Sequence, residues 1–129
     1  MRANLAVSPE GRVRVVLVVE DELLIAMELV ASLEVRGFQV MGPAPTVSAA
    51  LELIRQQRPD AAVLDVNLRD GRVTPVAEAL RSAGVPFVVA SAVDRVSLAE
   101  NSVLRGAPNL GKPTPVSELI DTLSDLFGQ

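Results

Sequence analysis

Asp65 ends the apolar run Ala61-Ala62-Val63-Leu64 and is followed by Val66-Asn67-Leu68. An apolar run leading straight into a carboxylate is the pattern of a buried parallel strand that carries one charged side chain to its C-terminal end. Taken alone, the stretch favours a plain turn, because Asp commonly ends strands and Asp-x-Asn closes on its own backbone. Its weight comes from other positions. Glu20, Asp21 and Glu22 follow the run Arg14 to Val19, Ser91 follows Pro86 to Ala90, and Lys112 follows Asn109 to Gly111. Two carboxylates about 5 Å apart repel by roughly 3 kcal/mol at an effective dielectric of 20, so Glu20, Asp21 and Asp65 together call for a cation. All-oxygen donors with room for water favour Mg²⁺, or Mn²⁺, over zinc or copper. A carboxylate beside such a metal can attack phosphorus and become an aspartyl phosphate. Lys112 as a point charge and Ser91 as a hydroxyl donor would then serve the remaining phosphoryl oxygens.

Those residues must be delivered to one place by the elements that precede them. The segment from Met1 to Arg12 is polar, carries Pro9 and Gly11, and reads as a flexible arm ahead of a single domain over 13–129. Strands are expected over Arg14 to Val19, Phe38 to Met41, Ala61 to Asp65, Pro86 to Ala90 and, briefly, Asn109 to Gly111. Between them lie helical patterns. Leu23 to Arg36 has Ala26, Leu29, Val30 and Leu33 on one face and Gly37 as its stop. Thr46 can cap a helix that carries Val47, Ala50, Leu51 and Ile54 and ends just past Arg58 at Pro59. Thr74-Pro75-Val76 and Thr114-Pro115-Val116 are two further starts, the latter with Val116, Leu119, Ile120, Leu123 and Phe127 inward. Val93 to Arg105 reads as one weak helix. Strands alternating with helices at roughly a dozen residues are the signature of parallel βαβ units. The expected fold is α/β, an open, doubly wound, five-stranded parallel sheet with helices on both faces. Ligands in such sheets gather at the carboxyl ends of the strands.

Composition narrows the function classes. At 129 residues, 49% of them hydrophobic, the chain fits one domain that buries a core without metal or disulfide support. It has no cysteine and no histidine, which excludes thiolate metal sites, His-dependent triads and a histidine phosphoryl carrier. A net charge of −4 disfavours binding to a phosphate backbone, so no direct nucleic-acid partner is expected. The apolar runs are strand-length, far short of the ~20 residues a bilayer needs, and the first twelve residues lack a signal-peptide core. A cytoplasmic protein without membrane insertion is the resulting expectation.

At these motifs the sequence closely resembles the receiver domain of two-component response regulators, from about Val13 to Phe127. Val-Val-Glu-Asp-Glu, Val-Leu-Asp-Val-Asn-Leu, Ala-Ser-Ala and Gly-Lys-Pro occur in the family's order and at family-like spacing. The resemblance implies a flavodoxin-like fold with strand order 2-1-3-4-5. It implies that Asp65 accepts a phosphoryl group from a histidine kinase or histidine phosphotransfer protein. Asp21 would bind Mg²⁺ directly and Glu20 directly or through water, with the backbone carbonyl of Asn67 as a further ligand. Ser91 and Lys112 would hold phosphoryl oxygens, and the Lys112-Pro113 bond would be cis. Asn67 and Val93 would flank the site and tune dephosphorylation. The expected role is a stand-alone signalling switch with no output domain, binding an unknown downstream protein, rather than a metabolic enzyme.

Two features depart from the family. Receivers carry Tyr or Phe three residues before the lysine, where this chain has Asn109, so ring rotation is not its switch. The weak pattern over Val93 to Arg105 leaves the family's usual output face undefined. A further apolar stripe, Leu24, Met27, Ala31 and Val35, lies beside the core stripe of the first helix. It either packs against the last helix or docks a kinase's helical bundle or a second copy of the chain as a homodimer. Rival readings also exist. Gly106-Ala-Pro-Asn-Leu-Gly-Lys112 matches the start of a P-loop, but Pro113 removes its hydroxyl and a backbone donor. An aspartate-nucleophile phosphatase needs an acid where Asn67 stands. Flavin has no Tyr or Trp to stack on. A receiver-like interaction module that is never phosphorylated is the rival of a different class.

Overall fold

The computed structural model describes residues 5–90, 104, 106–112 and 114–128. Strand β1 (Val15–Val19) is fully buried and pairs in parallel with β2 (Gln39–Ala44) on one side and β3 (Ala61–Leu64) on the other. Beyond β3 come a short antiparallel hairpin, β4 (Asn67–Leu68) and β5 (Gly71–Arg72), and then β6 (Phe87–Val89), which pairs in parallel with β3. The main sheet therefore runs β2-β1-β3-β6, the expected order through its first four strands. The fifth position is a single parallel bridge between Val89 and Asn109 rather than a strand. Pro108 before it and Gly111 after it, at φ +74°, explain the brevity: one lacks a backbone donor and the other turns the chain away.

Alternation along the strands divides the core in two. Val15, Leu17, Val19, Ala62 and Leu64 face a cluster that includes Ala50, Val76 and Leu80. Those last residues belong to α2 (Val47–Gln56) and α3 (Thr74–Ser82). Val16, Val18, Ala61, Val63 and Val88 face Leu29, Leu33, Leu119 and Leu123 of α1 (Leu23–Val35) and α4 (Val116–Leu126). Helices on both faces of a parallel sheet make the fold doubly wound. Burying both faces is why β1 and β3 read as unbroken apolar runs rather than alternating ones. No helix among the described residues is long and apolar enough to cross a membrane.

Local signals explain most element ends. Gly37, at φ +94°, stops α1, with Phe38 N–H donating to Leu33 O at 3.1 Å. Thr46 caps α2, its hydroxyl oxygen accepting from Ala49 N–H at 3.1 Å. Several details differ from expectation. β2 extends through Gly42 and Pro43 to Ala44, with a register shift against β1. A side chain at Gly42 would come within 2.7 Å of Ala44 N and 2.8 Å of Val18 O, so only glycine allows this approach. α2 stops at Gln56, with Gln57 already extended at φ −154° and ψ 133° ahead of Arg58 and Pro59. Val116, expected inward, is exposed.

Residues 5–12 correct the reading of a flexible arm. Val7 bridges Val13 antiparallel, Ser8 N–H donates to Arg12 O at 2.7 Å, and Ala6 is fully buried in the core between the sheet and α1. Arg12 grips Asp60 with two hydrogen bonds, at 2.7 and 3.0 Å, and Asp60 also accepts from Val15 N–H at 2.7 Å. Pro9 and Gly11, read as signs of a loose arm, sit in the turn between the two bridging residues. The segment Val93 to Arg105 lies outside the described residues apart from Leu104, which is buried.

Candidate functional site

The sheet's hydrogen-bond ladder continues past the strand ends and aligns the functional residues. Asp65 N–H donates to Val19 O at 2.9 Å, Glu20 N–H to Ala44 O at 3.0 Å and Ala90 N–H to Leu64 O at 2.9 Å. The side chains just beyond β1 and β3 therefore share one edge. Carboxylate oxygens of Glu20, Asp21 and Asp65 all lie within 4.8 Å of one another. Glu20 and Asp65 are buried, at 2% and 7% exposure, and Asp21 is half-buried. Glu20 folds back so that one oxygen, Oε2, accepts from Glu22 N–H at 2.9 Å, which places Asp21 at the apex of the turn leading into α1.

Lys112 closes the cluster. Its ammonium lies 2.8 Å from Glu20 Oε1 and 3.1 Å from Asp65 Oδ2. Burial pushes the Glu20 carboxyl above its ordinary range and the Asp65 charge adds to this, against the pull of Lys112 and the Glu22 amide. Burial works against the Lys112 ammonium too, but ion pairing to Glu20 and Asp65 outweighs it and holds that group above its ordinary range. Glu20 Oε1 is buried and touches the ammonium, yet no donor among the described residues meets it with hydrogen-bond geometry. A buried, under-satisfied carboxylate oxygen beside two further carboxylates suits a hard divalent cation such as Mg²⁺ or Mn²⁺.

Four sequence-predicted site residues, Glu20, Asp21, Asp65 and Lys112, are thus brought together. Asn67 opens β4, two residues past Asp65, its backbone paired opposite Arg72. Ser91 and Val93 lie outside the described residues, as does Pro113 with the bond expected to be cis. Asn109 accepts through Oδ1 from Gly111 N–H at 3.1 Å.

Sequence reasoning missed the β4–β5 hairpin and its two-residue turn. Arg69 donates to the backbone carbonyl of Asp21 at 3.1 Å. Asp70 accepts from Val47 N–H at 2.7 Å and Ser48 N–H at 3.2 Å, a second cap on α2 that holds its own carboxyl below the ordinary range, through the Val47 amide first. The available signal was Asp70-Gly71, a turn dipeptide soon after β3.

Comparisons with known proteins show what the chain is similar to. PdtaR, a transcriptional regulatory protein of Mycobacterium tuberculosis, is 34% identical over 113 residues, covering 85% of this chain and 55% of PdtaR. RegA, a photosynthetic apparatus regulatory protein of Rhodobacter capsulatus, is 33% identical over 116 residues, covering 88% of this chain and 62% of RegA. The chain thus spans little more than half the length of these curated relatives. The BeF3-activated conformation of SdrG from Pseudomonas melonis superposes with a TM-score of 0.72 at 42% identity, over 88% of this chain and 95% of that one. Residues 16–124 match the response regulator receiver domain, and with that match spanning both core faces and the whole carboxylate–lysine cluster, the chain belongs to the receiver domain family of two-component response regulators.

Proposed function

We propose that this chain is a phosphorylation-dependent signalling switch whose acceptor is Asp65, charged by a histidine kinase or a histidine phosphotransfer protein. The observation that carries the reading is the convergence of two further carboxylates, Glu20 and Asp21, and the Lys112 ammonium on Asp65. In the transfer, an Asp65 carboxylate oxygen bonds to phosphorus as the donor's phosphorus–nitrogen bond breaks. The electron pair stays on the imidazole, which takes a proton from solvent. Lys112 pairs with one phosphoryl oxygen as the charge moves, and Ser91 donates to another. Glu20, Asp21, Asp65 and the backbone carbonyl of Asn67 are the groups that would hold Mg²⁺. When bound, that ion supplies charge neutralisation for the phosphoryl oxygens. SdrG's BeF3-activated conformation supports the reading, since a tetrahedral beryllium fluoride has the shape and charge of a phosphoryl group.

Intact-mass measurement after adding acetyl phosphate, with and without Mg²⁺, tests the proposal on wild type and Asp65→Asn. One phosphoryl group is expected on wild type only, and only with Mg²⁺. A folded, Mg²⁺-binding wild type that gains none would instead be either a receiver served only by its own histidine donor or a docking module that is not phosphorylated, and partner capture would separate the two.

The partner face on this reading is the exposed side of α1. Leu24, Met27 and Val35 are 78%, 56% and 83% exposed, and Ala31 is exposed between them, so the stripe does not pack against α4. A helical bundle of the phosphodonor, or a second copy of this chain, would cover it. Leu24→Glu is expected to slow phosphotransfer from a histidine protein roughly tenfold or more, or to abolish self-association, with acetyl phosphate labelling unchanged. A folded variant with normal transfer and normal oligomeric state would remove this face from the proposal.

A further inference from the structure

We infer that Asn109 and Thr114 are positioning residues for Lys112, acting together through Gly111; the inference rests on the reading of Lys112 as the cation of the acceptor site. The last sheet contacts before the lysine are Val89 N–H to Pro108 O, at 2.7 Å, and Leu110 N–H to Val89 O, at 2.8 Å. Helix α4 begins only at Val116. Lys112 therefore hangs on a short connection between a single bridge and a helix. A lysine side chain is a point charge on a flexible four-carbon stem, so its ammonium reaches two buried carboxylates reproducibly only if its backbone is held.

Gly111 supplies that hold. It sits immediately before Lys112 at φ +74°, and both of its backbone polar groups are engaged by side chains. Its N–H donates to Asn109 Oδ1 at 3.1 Å, and its carbonyl accepts from the Thr114 hydroxyl at 2.9 Å. Thr114, which the sequence suggests as a helix start, spends its hydroxyl on this turn. Asn109 occupies the place of the family's aromatic ring and does a different job there: it locks the loop that presents the lysine.

The device leaves a signature that general damage to the fold would not. Lys112 pairs with oxygens of both Glu20 and Asp65. It competes with a metal for those oxygens, while it assists a phosphoryl group arriving on Asp65. Loosening the loop should therefore tighten metal binding and slow phosphorylation, two effects of opposite sign. Mn²⁺ affinity by electron paramagnetic resonance and the acetyl phosphate labelling rate by intact mass read the two arms.

Asn109→Leu and Thr114→Val are expected to slow labelling about three- to tenfold, the worth of one lost hydrogen bond, and to tighten Mn²⁺ binding about twofold or more. Thr114→Ser keeps a hydroxyl and should stay within about twofold of wild type. Unchanged labelling and unchanged Mn²⁺ affinity, or a parallel loss of both, would overturn the inference. The Thr114 pair decides alone should Asn109→Leu fail to fold. The Mn²⁺ arm also decides alone should wild type accept no phosphoryl group, tighter binding supporting the inference and unchanged binding overturning it.

Discussion

Asp60 shows how much one side chain can hold in this chain. It stands at the entrance to β3 and accepts two hydrogen bonds from Arg12 and one from Val15 N–H, so it ties residues 5–13, β1 and β3 together. Burial alone would raise its carboxyl, but the Arg12 guanidinium and the Val15 amide outweigh burial and hold it below the usual range. A carboxyl depressed in the folded state contributes stability above its unfolded value of about 3.9, and that contribution is lost as pH falls through the folded value. Asp60→Asn should therefore be less stable than wild type near neutral pH, by about 1–3 kcal/mol, with the gap narrowing below about pH 4. Thermal melts of both proteins from neutral to acid pH check this; a gap independent of pH would show that the charge of Asp60 is not what matters. Nothing in the sequence marks Asp60 beyond a Pro-Asp turn, because its partner lies 48 residues away. Asp65 was legible for the opposite reason, since its own strand points to it.

Among the elements, the β4–β5 hairpin was the least visible, although it begins only two residues past Asp65. Each of its strands has two residues, too few for a two-residue period to register. Its turn nevertheless fastens two neighbours, Arg69 to the carbonyl of Asp21 and Asp70 to the first amides of α2. Thr46 already caps that helix end, so Asp70 binds the hairpin to α2 rather than merely completing a cap. Asp70→Ala should speed hydrogen exchange at the Val47 and Ser48 amides roughly three- to tenfold while leaving Ala49, served by Thr46, near wild type. Equal exchange at all three amides in the variant and in wild type would show the hairpin contact to be dispensable. The described helices were legible, α1 for example in the spacing of Ala26, Leu29 and Leu33 and in Gly37, because each depends on neighbours a few residues away. The bridge at Asn109 replaced an expected strand because strand length depends on pairing across the sheet, which local pattern does not report.

At the scale of the molecule, the doubly wound architecture followed from the alternation of strand and helix, and the two cores follow from β1 and β3 presenting consecutive residues to opposite faces. What local pattern could not show is where the folded unit starts. Similarity to the family begins at residue 16, but folding begins earlier: Ala6 is fully buried, Leu5 packs beside it, and Arg14 donates to Leu5 O while lying 4.1 Å over the Phe127 ring. The first described residues and the last helix thus meet through one arginine. For anyone recombining receivers with other modules, a splice placed where family likeness begins would discard part of the interior. It would strip Phe127 of its cationic neighbour and Asp60 of its guanidinium, whereas a junction upstream of Leu5 carries both contacts along.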